Sequence, residues 1–224
     1  MKKILLSPSM MCVSPWENPA ETVRALCDAG VDLLHMDVMD GVFVPNLMLG
    51  TEAIKQLRRI TSVPLDIHLM IERPEDKLAW FDIQPGEYVS IHAESTHHLQ
   101  RALARIRDYG AHPIAALNPA TPLCMIEDIL PDVDAVLLMT VNPGYAGQAL
   151  IPQMIDKIAR LRRMLDEAGR KDVDIEVDGN VSFVHARRMY EAGANIFVCG
   201  SSGIFSKEGT IADNTARFRR ILAE

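Results

Sequence analysis

Residues 32–37 read Asp32-Leu33-Leu34-His35-Met36-Asp37, a short apolar run that turns polar at its end. His35 and Asp37 are separated by two, so in a strand they share one side while Met36 points to the other. An amphipathic pattern of helical period follows over 51–60. The same alternation continues in both directions. Strand-like runs recur at 3–8, 64–70, 87–92, 112–117, 134–140, 173–177 and 195–199, several rich in β-branched residues and closed by a polar or glycine-containing loop. Helical patterns recur at 18–29, 74–82, 96–109, 123–130, 152–168, 182–192 and 210–222. Asn18, Thr51 and Ser182 suit N-caps, Pro19 and Pro152 suit first turns, and Gly30, Gly110, Gly169 and Gly193 stand where helices should end. Eight strand–helix units in 224 residues predict a closed (β/α)8 TIM barrel, an α/β fold, as one domain over 1–224. An open doubly wound sheet is the rival; the first strand lacks the G-x-G-x-x-G turn, and eight full repeats favour closure.

Composition narrows the class. Apolar residues make up 48%, which excludes a disordered chain. The net charge is −7 and the Lys and Arg residues are scattered, so no nucleic-acid partner is expected. Cys12, Cys27, Cys124 and Cys199 are far apart and read as small buried residues of a reducing compartment rather than disulfides. The N-terminal run Met1-Lys2-Lys3-Ile4-Leu5-Leu6 resembles a signal peptide but is broken by Ser7-Pro8-Ser9. No stretch reaches the roughly 20 apolar residues that span a bilayer. A cytoplasmic protein without a membrane partner is the expectation.

Barrels of this kind place their chemistry at the C-terminal ends of the strands. Here those ends carry Ser9, His35 with Asp37, His68, His92, Asn118, Thr140 with Asn142, Asp178, and Gly200-Ser201. A lone strand-end histidine is more often a structural residue, but two histidines and two aspartates converging from three strands are not. His35, Asp37, His68 and Asp178 form a set suited to a divalent ion of borderline hardness; Zn²⁺, Mn²⁺, Fe²⁺ and Co²⁺ all fit, with zinc or manganese put first. The loop Asn142-Pro143-Gly144-Tyr145-Ala146-Gly147-Gln148 and the turns Asp178-Gly179-Asn180 and Gly200-Ser201-Ser202-Gly203 follow strands six, seven and eight. Glycine-rich loops there let backbone N–H groups converge on a phosphate. Met36 reads as core, whereas Met39, Met70 and Met139 suit an apolar collar that keeps water from a charged intermediate.

These segments resemble the ribulose-phosphate 3-epimerase family. The resemblance rests on Ser7-Pro8-Ser9, on 35–41 with Phe43-Val44-Pro45-Asn46, on Asp66-Ile67-His68-Leu69-Met70, on 139–148 and on Glu176-Val177-Asp178-Gly179. It implies a barrel of the ribulose-phosphate binding type, one divalent metal per subunit on His35, Asp37, His68 and Asp178, and Asp37 and Asp178 as the acid/base pair. It further implies sugar contacts from Ser9 and His68. Phosphate contacts would come from Gly144, Tyr145, Ala146, Gly147, Gln148, Gly179, Asn180, Gly200, Ser201 and Ser202. A homo-oligomer, dimer or hexamer, would also follow. The string Ser9-Met10-Met11-Cys12 and two departures resemble the allulose-6-phosphate 3-epimerase branch: Asn180 where a second glycine is usual, and Gly200-Ser201-Ser202-Gly203 where Gly-Ser-Ala is usual. The substrate implied is D-allulose 6-phosphate, with D-ribulose 5-phosphate as the alternative. Aldolases or decarboxylases on similar barrels typically carry Asp-x-Lys-x-x-Asp, which does not occur here. A metal-dependent hydrolase fits the phosphate loops poorly and would be expected to carry a larger strand-end histidine cluster. A non-catalytic sugar-phosphate sensor would not need two carboxylates on the metal.

Overall fold

A computed structural model describes residues 2–13 and 18–224; Met1 of the N-terminal run and residues 14–17 lie outside it. Nine strands form one sheet: β1 (Leu5–Pro8), β2 (Leu34–Asp40), β3 (Leu47–Met48), β4 (Leu65–Met70), β5 (Tyr88–His92), β6 (His112–Leu117), β7 (Ala135–Met139), β8 (Asp174–Asp178) and β9 (Ile196–Cys199). Their order is β1-β9-β8-β7-β6-β5-β4-β2-β3. Every pairing is parallel except that of the two-residue β3, which folds back on the end of β2 with Met39 opposite Met48. A parallel bridge from Ser9 to His35 joins β1 to β2 and closes the ring. The rival open sheet is thereby excluded.

Six helices cover the barrel: α1 (Pro19–Asp28), α2 (Thr51–Ile60), α3 (Leu99–Asp108), α4 (Met154–Glu167), α5 (Ala186–Glu191) and α6 (Ile211–Ala223). Pro19 opens α1, and Gly30, Gly110, Gly169 and Gly193 leave their helices at φ between 73° and 117°. Two expected helices are absent in α form. The 74–82 pattern becomes two short 3-10 turns, because Arg73 and Asp82 adopt positive φ and Pro74 opens the segment. The 123–130 pattern is a 3-10 segment, Leu123–Asp132, entered from Pro122 and carrying Pro131, which has no N–H to extend an α ladder. Two cap assignments shift. Gly50 rather than Thr51 caps α2, because Leu49 at φ 36° turns the chain one residue early. Ser182 caps a lead-in turn, its Oγ accepting from the His185 N–H at 3.2 Å, and α5 starts later.

The larger apolar core lies between barrel and helices and includes Met36, as expected. A smaller one, with Leu5, Leu33, Ile114, Leu137, Met139 and Ile196, fills part of the barrel interior. The rest of that interior is polar: His35, Asp66, His68, Ser90, His92 and Glu176 are all fully buried. Each ion taken out of water costs several kcal/mol, so such a group inside a barrel calls for a functional partner. Of the cysteines, all free, only Cys199 is buried; Cys12 and Cys27 are half-buried and Cys124 is exposed, against expectation. Cys124 sits in the 3-10 segment, where the shorter repeat turns it outward. Among the described residues no helix is long and apolar enough to cross a membrane.

Candidate active site

Strand β2 delivers His35 and Asp37 to the barrel interior, and its register places Asp37 beside His68 of β4. Asp178 ends β8 and is pinned there by Thr140, whose N–H donates to the Asp178 carbonyl at 2.7 Å and whose hydroxyl donates to the same oxygen at 2.9 Å. One donor atom from each of His35, Asp37, His68 and Asp178 lies within 4.8 Å of the others. His35 Nε2 is 3.4 Å from Asp37 Oδ1, and His68 Nδ1 is 3.8 Å from both Asp37 Oδ1 and Asp178 Oδ2. His35 Nε2 and His68 Nδ1 are buried and have no hydrogen-bond partner. Two buried imidazole nitrogens without partners, set beside two carboxylates, could hold a divalent cation, and the donor set suits one.

The surrounding groups fix these side chains. His35 Nδ1 donates to Asp66 Oδ2 at 2.6 Å, and Asp66 also accepts from the Ser7 hydroxyl at 2.7 Å. That leaves Nε2 of His35 to face the cluster. Ser9 donates its hydroxyl to Asp37 Oδ2 at 2.6 Å. Glu176 lies 3.6 Å from His35 Nδ1, and neither its oxygens nor Asp66 Oδ1 meets a donor. A proton on Glu176 resolves this; burial and the Asp66 charge raise Glu176 well above the usual carboxylate range. On the other side, His68 Nε2 and His92 Nε2 are 2.8 Å apart, and His92 Nδ1 is 3.2 Å from Glu94. Burial pushes His92 down to about 4, so it is neutral.

The two aspartates differ sharply. Burial would raise Asp37, but His35 and His68 outweigh it and hold Asp37 well below the usual range. Burial and then the Asp37 charge push Asp178 up to about 7. Burial would lower the His35 imidazole, but Asp66 and Asp37 on either side raise it well above the ordinary value. Without a cation the cluster therefore keeps Asp37 ionised and Asp178 close to half protonated at neutral pH.

Above the cluster opens a cavity of about 320 Å³. Asp37 and Asp178 form its floor. Ser9, Met39, Met70 and Met139 form one part of the wall, and 142–148, Gly179, Asn180 and 200–202 form the other. Every expected sugar- or phosphate-facing residue thus lines one space, apart from His68, which lies beneath it, fully buried like His35. Met39 and Met70 pack with Val44, and Met11, Phe43 and Met48 lie against them. Asp40 shapes the loop below Val44 by accepting the N–H groups of Val42 at 2.9 Å and Phe43 at 3.0 Å. Asn46 then donates to the Gly144 carbonyl at 2.8 Å, tying this loop to the glycine-rich one. Gly179 has φ 113°, and a Cβ there would lie 2.6 Å from Val141 Cγ2. Asn180 takes φ 47° and donates to the Gln148 carbonyl at 2.7 Å. Asp66, Glu176, His92 and Glu94 were given no role from sequence. The signal was present: Asp66-x-His68 and Glu176-x-Asp178 repeat the spacing of His35-x-Asp37, which puts each pair on one interior face.

A parallel barrel with a buried cation-type cluster under a glycine-walled cavity defines a class of small-molecule enzyme rather than a single activity. The barrel is shared with 3-keto-L-gulonate-6-phosphate decarboxylase from Vibrio cholerae, at a TM-score of 0.73 over 100% of this chain and 98% of that one. Identity there is 8%, so the likeness is one of fold. The sequence carries the assignment further. Residues 5–205 match the Ribulose-phosphate 3 epimerase family. Ribulose-phosphate 3-epimerase from Bacillus subtilis is 46% identical over 173 residues, 77% of this chain and 80% of that protein. The chloroplastic ribulose-5-phosphate-3-epimerase from Arabidopsis thaliana is 44% identical over 207 residues, 92% and 73% respectively. The chain belongs to the ribulose-phosphate 3-epimerase family. It is accordingly an isomerase, an epimerase of the carbohydrate-phosphate type.

Proposed function

We propose that this protein inverts carbon 3 of D-allulose 6-phosphate to give D-fructose 6-phosphate. The observation that carries the six-carbon substrate is Asn180. Its side chain bonds to the Gln148 carbonyl and so sets the spacing of two loops around the phosphate end of the cavity. The conversion of D-ribulose 5-phosphate to D-xylulose 5-phosphate is the second candidate, favoured by the names of the relatives.

His35, Asp37, His68 and Asp178 would hold one divalent ion, zinc or manganese before iron or cobalt. When bound, the ion supplies Lewis-acid stabilisation of the negative charge that develops beside carbon 3. The chain's own residues do the rest. Inversion requires a proton to leave one face of carbon 3 and another to arrive on the opposite face, which one base cannot easily serve. Asp37, kept ionised by its two histidines and oriented by Ser9, suits proton removal. Asp178, the other carboxylate on the cavity floor, would serve the opposite face and return the proton. In the reverse direction the roles exchange. Ser9 would contact the sugar from the cavity wall, His68, beneath the cavity, would reach it only where sugar oxygens meet the cluster, and Met39, Met70 and Met139 would exclude water from it. The phosphate would sit against backbone N–H groups of 144–148, Gly179, Asn180 and 200–202. The catalytic unit would be the single domain over 1–224, working in the cytoplasm as a homo-oligomer, a dimer or hexamer. Val42 and Leu47, each 73% exposed on the turn after β2 and the short β3 that follows it, are apolar surface that assembly would cover.

The test is a comparison of kcat/KM for the two phosphorylated ketoses. The expected result is at least a ten-fold preference for D-allulose 6-phosphate. A ten-fold preference for D-ribulose 5-phosphate would establish the second candidate instead. No exchange of the carbon-3 proton with solvent deuterium in either sugar would overturn both.

A further inference from the structure

Glu94 lies outside the cluster, separated from its member His68 by the imidazole of His92. The His68 and His92 ring centroids are 5.0 Å apart, with Nε2 facing Nε2 at 2.8 Å. Nitrogens that close share one proton, so one ring donates and the other accepts. Glu94 decides which. Its Oε1 accepts the Asn118 N–H at 2.8 Å and the Thr121 hydroxyl. Its Oε2 faces His92 Nδ1 at 3.2 Å. A carboxylate that takes two donors on one oxygen is an acceptor on the other, so His92 carries its proton on Nδ1. His68 Nδ1 meets no acceptor within hydrogen-bond distance, so the shared proton sits on His68 Nε2, which donates it to His92 Nε2. The lone pair of His68 is left on Nδ1, the atom that is buried without a partner among Asp37 and Asp178.

The carboxylate is itself held in place. Lys157, only 4% exposed, donates to the carbonyls of Asn118 at 2.9 Å, Pro119 at 3.1 Å and Thr121 at 2.6 Å. Glu94 and Lys157 thus grip the same 118–121 loop from its N–H side and its carbonyl side. We propose that Glu94 and His92 are positioning residues that fix the tautomer of His68 and so select Nδ1 as its metal-binding atom. The metal part rests on the cation role proposed above; the tautomer does not.

Glu94→Gln makes the idea testable, because the amide cannot satisfy both ends. Asn118 N–H demands the amide oxygen, which turns the NH₂ group toward His92 Nδ1. His92 must then donate from Nε2, and His68 must accept there and carry its proton on Nδ1. His92→Phe is a second route: with no acceptor for Nε2–H, the carboxylates of Asp37 and Asp178 draw the proton to Nδ1. Long-range ¹H–¹⁵N NMR of the metal-free proteins reads the tautomer directly. His68 should be Nε2–H in the unaltered protein and Nδ1–H in both variants, while the His35 pattern, set by Asp66, stays unchanged. Titration with Co²⁺, followed by its visible absorption, should show affinity reduced about 10–100-fold in each variant. Failure of the unaltered protein to bind Co²⁺ would remove the metal role, with the tautomer result still deciding the positioning role. The proposal is overturned if His68 keeps Nε2–H in either folded variant, or if both bind Co²⁺ within two-fold of the unaltered protein.

Discussion

Asp37, midway along β2, and Asp178, at the end of β8, are the same residue type, yet their surroundings drive their proton affinities in opposite directions. Asp37 faces two imidazoles and a serine hydroxyl. Asp178 faces the charge of Asp37 in a buried setting and titrates at about 7. In the ion-free site this splits the pair into an ionised carboxylate and a partly protonated one, the pattern that the two-carboxylate mechanism proposed above calls for. Asp178→Asn preserves size and one oxygen while removing the titratable group. Net epimerisation should fall by about 10²–10⁴-fold in both directions. Exchange of the carbon-3 proton should survive for one epimer only, the one whose proton faces Asp37. Metal content must be measured on the same sample, and a metal-loaded variant that epimerises at the unaltered rate would reduce Asp178 to a ligand. At this scale the clustering of His35, Asp37, His68 and Asp178 was legible in sequence, because a period of two places His35 with Asp37 whatever the details of the barrel. The partners that fix them were not. Whether Asp66 turns toward His35, or Glu94 toward His92, depends on contacts between strands that no local spacing encodes.

Loops behave differently from strands. The strands lie within a few residues of their expected bounds, since each repeats the same apolar run. The two connections with prolines were misread as α-helices, because their apolar spacing also suits a 3-10 turn. In the glycine-walled loops the proposed phosphate site is backbone, so substitution there tests geometry rather than chemistry. Gly179→Ala would set a Cβ 2.9 Å from the Val141 backbone nitrogen at a φ that L-residues rarely adopt. The loop must shift, at a cost on the order of 2 kcal/mol. If Gly179 holds the phosphate end, KM for the phosphorylated ketose should rise more than kcat falls, and a KM unchanged within two-fold would place the phosphate elsewhere. Asn180→Gly removes the bond to Gln148. It should move the kcat/KM ratio several-fold toward the five-carbon sugar, and a ratio that does not move would detach Asn180 from chain-length selection. Unphosphorylated ketoses should be poor substrates throughout, because the binding energy of the remote phosphate is lost; kcat/KM within ten-fold of the phosphorylated forms would refute a phosphate site.

Across the whole molecule, the barrel interior gathers Asp37, Asp66, Glu176 and Asp178 around the imidazoles of His35, His68 and His92. Folding without a cation therefore retains protons that folding with one would release. The sign follows from the shifts. Burial and the Asp37 charge raise Asp178 to about 7 when folded, above the ordinary carboxylate value of 3.8. Between those limits the folded state binds more protons than the unfolded one, so the metal-free protein loses stability as pH rises toward about 7. His35, raised well above 6.5, adds stability that is present below that value and is lost as pH rises through its folded pKa. A divalent ion needs both groups deprotonated where it binds, so its affinity should grow over the same range. His68 and His92, both lowered by burial, stay neutral with or without the ion and cancel from the difference. A ligand at 100 times its Kd stabilises by about 2.7 kcal/mol. For a domain of this size, that raises Tm by about 5–10 °C. Calorimetry with Mn²⁺ and with a chelator should show a gap of this order at pH 8 and a smaller one at pH 6. The buried cluster would not be a cation site if chelation left Tm unchanged at both values. If the gap were instead larger at pH 6, the proton assignments at Asp178 and His35 would be reversed.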